Sequence, residues 1–363
     1  MYNVTFFRHE VLFLTIYYKD YQKRGRFTLN FLNQFNLIPK NFIVANIVDT
    51  LKDDPEQGID KVYKLATDYV TDESVIQSIN DVKSYYDTHP SVKLLLKNIC
   101  YNTSKSVLNH TIQNICVHTV LDGQGKREKA QAKHHVVIPP ILSARITTQN
   151  SRLMHTTLSN YLPEGKELGI HVYLLNGDDE LYTSAYLSLY KKHSDIQFLL
   201  ISKPEAILTL SVDQLSKMSN VTPVIVSTSE TLTPTLQQAF SHLKKANLFY
   251  GAASDLTALS IQTLVSSTTT VQMIRQGARF HFWITSPQQP LTSDQQQYVK
   301  QCANQIRQTK PYLPILIEKT SQDNYALSLD LSDKPFTYEV IQLRSHLLQD
   351  TLAQYLIKQQ KTR

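Results

Sequence analysis

A chain of 363 residues, 42% hydrophobic and 19% charged, holds enough apolar material for two cores and excludes a disordered or fibrous protein. Its formal charge of +6, from 37 basic and 31 acidic side chains, is a mild excess spread along the chain, so a dedicated nucleic-acid surface is not expected. Cys100, Cys116 and Cys302 lack any CxxC spacing, and nine glycines leave few for phosphate-cradling loops, so neither a metal nor a cofactor is expected and a cytoplasmic setting is the simplest.

In chain order, the apolar run at 11–18 lacks a basic flank and a cleavage site, is too short to span a bilayer, and reads as a strand. Turn chemistry over 19–25 and a return over 26–32 complete a small antiparallel N-terminal sheet. Lys23, Arg24 and Arg26 beside Tyr21 and Phe27 would be the place for a nucleic acid, but the same residues describe a solvated hairpin turn, which is the favoured reading. Residues 41–48 read as a buried strand. Asp54 and Pro55 open a helix, and Thr71, with Ser74 in the first turn, opens another. Residues 115–121 read as a strand and 122–135 as a polar loop. His134 and His135 would point to opposite faces of an extended chain and cannot chelate one ion together. Residues 138–165 read as a junction between an N-terminal α/β part, 1–145, and a C-terminal domain, 146–363.

From residue 169 onward, β-branched runs alternate with amphipathic helix-length segments. The runs are 170–175, 196–201, 222–227, 247–250, 270–274 and 280–284. Continuous apolar runs suit strands covered on both faces, which predicts an α/β fold with a Rossmann-like parallel sheet. Ligands of such sheets bind at the carboxyl edge, so the loops after the strands form the candidate cleft. It comprises Asn176, Gly177 and Asp178, then Ser202 and Lys203, then Gly251, Ser254 and Asp255. Asp178 is expected to cap a helix, and Ser254 or Asp255 another. Nothing in these loops pairs a nucleophile with a base, so no catalytic residue is assigned. A helix opens at Thr292 or Ser293, strands follow at 314–317 and 325–331, and 336–358 reads as a terminal amphipathic helix. Its basic end, Lys358, Lys361 and Arg363, leaves peripheral membrane contact as an alternative to docking on the body.

The order of features over residues 136–286, with the segments 138–145, 236–249 and 255–264, resembles the C-terminal domain of GT-B glycosyltransferases. More narrowly, it resembles the degenerate glycosyltransferase-like components of the accessory Sec system of Gram-positive bacteria, with a strand placed at 268–274. Active retaining enzymes of that fold carry two glutamates eight residues apart, where this chain offers Ser254, Asp255 and Gln262. They also carry an Arg and a Lys after the first strand, where it offers residues 176–180. The resemblance therefore implies a non-catalytic component of adhesin export, with other accessory secretion proteins and an adhesin as partners. A divergent nucleotide-sugar transferase is the alternative.

Overall fold

The computed structural model describes residues 40–69, 73–134, 138–227, 232–256, 267–285, 291–319, 324–330 and 335–342. The expected N-terminal antiparallel sheet and the Thr71 cap lie outside them.

Every described residue assigned to an element before residue 135 is helical. The helices are α1 (Lys40–Asp53), α2 (Pro55–Tyr69), α3 (Glu73–Thr88), α4 (Pro90–Asn102) and α5 (Lys105–Thr111), then a π-helix (Ile112–Asp122) and α6 (Gly123–His134). Three expectations are corrected here. Residues 41–48 lie in α1 because Val44, Val48 and Leu51 recur at helical spacing and bury together against Ile59, Tyr86 and Leu96, which overrides their β-branched composition. Residues 115–121 lie in the π-helix. The polar segment 122–135 is mostly α6, anchored where Arg127 is buried and Ala130 packs into the main core. The helix expected after Asp54 is present, and Asp54 Oδ1 accepts from the amides of Glu56 (3.0 Å) and Gln57 (3.1 Å).

The rest is α/β. Strands β1 (Ile141–Arg145), β2 (Val172–Asn176), β3 (Gln197–Ser202), β4 (Val221–Ser227), β5 (Gly251–Asp255), β6 (Phe280–Ile284) and β7 (Leu313–Lys319) pair in parallel, each with the next. Strands β8 (Asn324–Asp330) and β9 (Pro335–Gln342) follow antiparallel, and β9 pairs in parallel with β1, closing the sheet into a barrel. The described connections carry α7 (Ser151–Glu167), α8 (Ser184–Lys192), α9 (Pro204–Leu208), α10 (Val212–Ser216), α11 (Pro234–Lys245), α12 (Ser267–Arg275) and α13 (Ser293–Thr309). The parallel α/β sheet is as expected. Its strands run in sequence order without the reversal of an open doubly wound sheet, so the carboxyl ends of the parallel strands meet at one mouth rather than at a switch point.

Four segments differ from expectation. Residues 138–165, read as a junction, contain β1 and most of α7. The strand expected at 247–250 is displaced to β5. Residues 270–274, and with them the strand that the family resemblance placed at 268–274, lie in α12, where Met273 is buried. Residues 335–342 are a strand, where a terminal helix was expected from 336. The Thr292 cap is present, with a reciprocal pair of bonds to Gln295.

Side chains alternate between two layers, as strand geometry requires. Leu142, Tyr173, Leu175, Phe198, Leu200, Ile225, Ala252 and Trp283 face the helices. Leu174, Ile201, Val224, Ala253, Phe282 and Ile317 face the barrel interior. The N-terminal helices are fastened to the barrel by polar ties. Arg127 Nη1 donates to Thr119 O (2.9 Å) and Gly169 O (2.6 Å), Asn114 Nδ2 to Ser194 O (3.0 Å), and Ser104 N to Asn247 O (2.7 Å). Asn220 makes another knot. Its buried Nδ2 donates to the carbonyls of Tyr190, His193 and Ile196, each at 3.0 Å, and so ties off the end of α8. Asn220→Ala leaves those acceptors without this donor and is expected to cost about 2 kcal/mol, read as a lower urea midpoint. An unchanged midpoint would refute the role.

Candidate functional site

The carboxyl ends of the parallel strands gather Arg145 on β1, Asn176 on β2, Ser202 on β3 and Asp255 on β5 at one mouth, with Gly177, Asp178 and Lys203 just beyond their strands. Gly177 is required by space, since a Cβ there would lie 2.7 Å from Ile146 O. Asp178 does not cap the short helix that follows it; its side chain makes no cap bond. Instead its carboxylate reaches across to the next loop, accepting from Lys203 N (3.1 Å) and pairing with Lys203 Nζ (3.0 Å). That pair raises the Lys203 pKa, chiefly through the hydrogen bond to Asp178, and being largely exposed it adds little to stability. Beside it Thr148 Oγ1 donates to Glu180, which holds the Glu180 carboxyl below its usual range.

The two hydroxyls among the candidates face away from the mouth. Ser202 Oγ bonds the Tyr182 hydroxyl (2.9 Å), with both residues buried. Ser254 Oγ bonds His281 Nε2 (2.7 Å), both 0% exposed, and His281 Nδ1 has no partner among the described residues. Burial pushes the His281 pKa down to about 3, so the ring is neutral. A fully buried Ser–His contact whose far ring nitrogen has no partner among the described residues is a core hydrogen bond rather than a nucleophile and base. Two expected placements are therefore corrected. Gly251 opens β5 at the far end of the barrel, where a Cβ would strike the Phe280 ring at 2.5 Å, and Ser254 lies inside β5 and not in a loop after it. Asp255 ends β5 at the mouth and is exposed; the helix it was expected to cap lies outside the described residues.

Sequence reasoning missed Arg145. It was hidden because the strand that carries it follows two prolines and was read as a junction. Its side chain is exposed and makes no hydrogen bond or ion pair among the described residues. Among the described residues no group of three or more His, Cys, Asp or Glu is placed to hold a metal ion, and no helix is long and apolar enough to cross a membrane. Cys100 is a buried free thiol whose pKa burial pushes up to about 11, which makes it a poor nucleophile.

No protein-family model matches the chain, and neither does any curated protein. The structure is similar to two solved structures of SuiB from Streptococcus suis. The one bound to S-adenosylmethionine is 12% identical, with a TM-score of 0.37 over 56% of this chain and 53% of that one. The other is 11% identical, with a TM-score of 0.39 over 76% of this chain and 61% of that one. The chain thus spans less than two thirds of the length of either, and likenesses this distant say nothing about its activity.

Proposed function

We propose that the chain is a non-catalytic interaction protein that assists export of glycosylated adhesins through contacts with other accessory secretion proteins. The observation that carries the non-catalytic half is the fate of Ser202 and Ser254. Each is 0–1% exposed and spent on an internal hydrogen bond, and the loop lysine at the mouth, Lys203, is neutralised by Asp178. The adhesin-export setting comes from the sequence resemblance alone. Support for a contact face on α4 comes from Leu94 and Tyr101, seven residues and so about two turns apart, which are 51% and 55% exposed.

The test is recovery of partners on the tagged chain from its own host, with thermal shifts against nucleotide sugars on the same preparation. Recovery of secretion components is expected, lowered about tenfold by Leu94→Asp combined with Tyr101→Asp at unchanged thermal midpoint. A reproducible shift with one nucleotide sugar, and no secretion partner, would overturn the reading in favour of a transferase.

A further inference from the structure

At the mouth of the barrel, polar groups on β1 and β2 remain unspent while their counterparts on β3 and β5 are consumed. Ser143, Arg145 and Asn176 share the face turned to the barrel interior, the face of Leu174 in β2. Ser143 is 7% exposed, yet its Oγ has no partner among the described residues. Two residues on, Arg145 presents an exposed, unpaired guanidinium, and its register partner Asn176 adds an exposed carboxamide with no hydrogen bond among the described residues. A buried hydroxyl without a partner costs free energy that a bound acceptor would recover. A planar guanidinium beside an amide matches the two oxygens of an oxyanion.

The surroundings decide which oxyanion. Arg145 is a cation with no partner among the described residues, whereas Lys203 is held by Asp178. With Lys203 already paired, Arg145 offers compensation for a single negative charge. The opposite wall is apolar: Val226 and Ile284, on β4 and β6, are half-buried and face the interior above the buried Ile201, Ala253 and Ile317. We infer that this mouth binds a small monocarboxylate with an apolar body, its carboxylate on Arg145 and Asn176, a hydrogen bond from Ser143, and its apolar part against Val226 and Ile284. The site stands independently of the partner reading.

The test is titration of the full chain with 3-phenylpropanoate, with the matching neutral amide and with inorganic phosphate, followed by calorimetry and thermal shift. The acid is expected to bind and the amide not to. Arg145→Gln, an exposed position without internal bonds, should weaken the acid about tenfold or more at unchanged thermal midpoint. Asn176→Ala should weaken it several-fold, and Ser143→Ala should do so without lowering the midpoint, a combination a purely structural serine would not give. Equal binding of acid and amide, no binding of the acid, an Arg145→Gln variant that binds as well as the parent, or phosphate bound in preference to the acid would each overturn the inference.

Discussion

Replacing Gly169 with alanine is expected to cost about 4 kcal/mol or more, because left-handed strain, backbone overlap and a buried charge at the joint act together. Gly169 sits at φ +78°, and a Cβ there would lie 2.4 Å from Gly123 O and 2.5 Å from Gly123 Cα. Neither neighbour is the flexible end of a side chain. Relief requires the start of α6 to lift from the barrel, but Arg127, on α6, holds that joint closed through Gly169 O. Separation would take its buried guanidinium away from Gly169 O. Gly123→Ala should act in the same direction, since its Cβ would lie 2.5 Å from both Gly169 O and His118 O. Because one separation relieves both overlaps, the double variant should cost less than the sum of the singles. Urea unfolding measures all three. A loss below about 1 kcal/mol for Gly169→Ala would mean that α6 is not packed on the barrel as described.

The parallel strands were legible where both faces are covered, because residues 170–175, 196–201, 222–227 and 280–284 need no polar positions. Two strands were not. β5 reads Gly-Ala-Ala-Ser-Asp, whose small side chains show no β signature, and at the first of them the Phe280 ring lying over Gly251 leaves no room for a Cβ. β1 is only five residues long and follows two prolines, so its pairing with β2 and β9 comes from the closed sheet and not from local propensity. Residues 41–48 and 270–274 show the converse, where tertiary burial of one stripe made helices of β-branched runs. At the site, Asn176, Lys203 and Asp255 could be found because they follow apolar runs. Arg145 could not, because its strand was unseen, and no one-dimensional signal says that Ser254 points into the helix layer and Ser143 into the barrel.

Acidification should unfold this protein well before its carboxylates account for it, because its core holds neutral imidazoles. His281 is 0% exposed between Ser254, Trp283 and Tyr312, and burial lowers its pKa to about 3. His171 lies beneath the π-helix, its ring 5.0 Å from that of His118 and its Nδ1 on Asp195 O. Burial lowers its pKa to about 4, partly offset by that hydrogen bond and reinforced by His118 and Lys126. His193, again chiefly through burial, is lowered as well. With folded pKa values depressed, the unfolded chain takes up protons from about pH 6.5 downward while the folded chain does not. Their stabilising effect is therefore complete above pH 6.5 and falls as the pH drops, to about 4 for His171 and about 3 for His281. At about 1.4 kcal/mol per unit, His171 and His281 together would remove several kcal/mol by pH 4, comparable with the whole stability of an ordinary domain. The urea midpoint should consequently fall steadily between pH 6.5 and 4, and His281→Gln should flatten that fall although it lowers the midpoint at pH 7. A midpoint constant from pH 6.5 to 4.5, or a His281 resonance titrating near 6.5, would show that the ring is hydrated and that the dry layer between β5, β6 and the helices does not form.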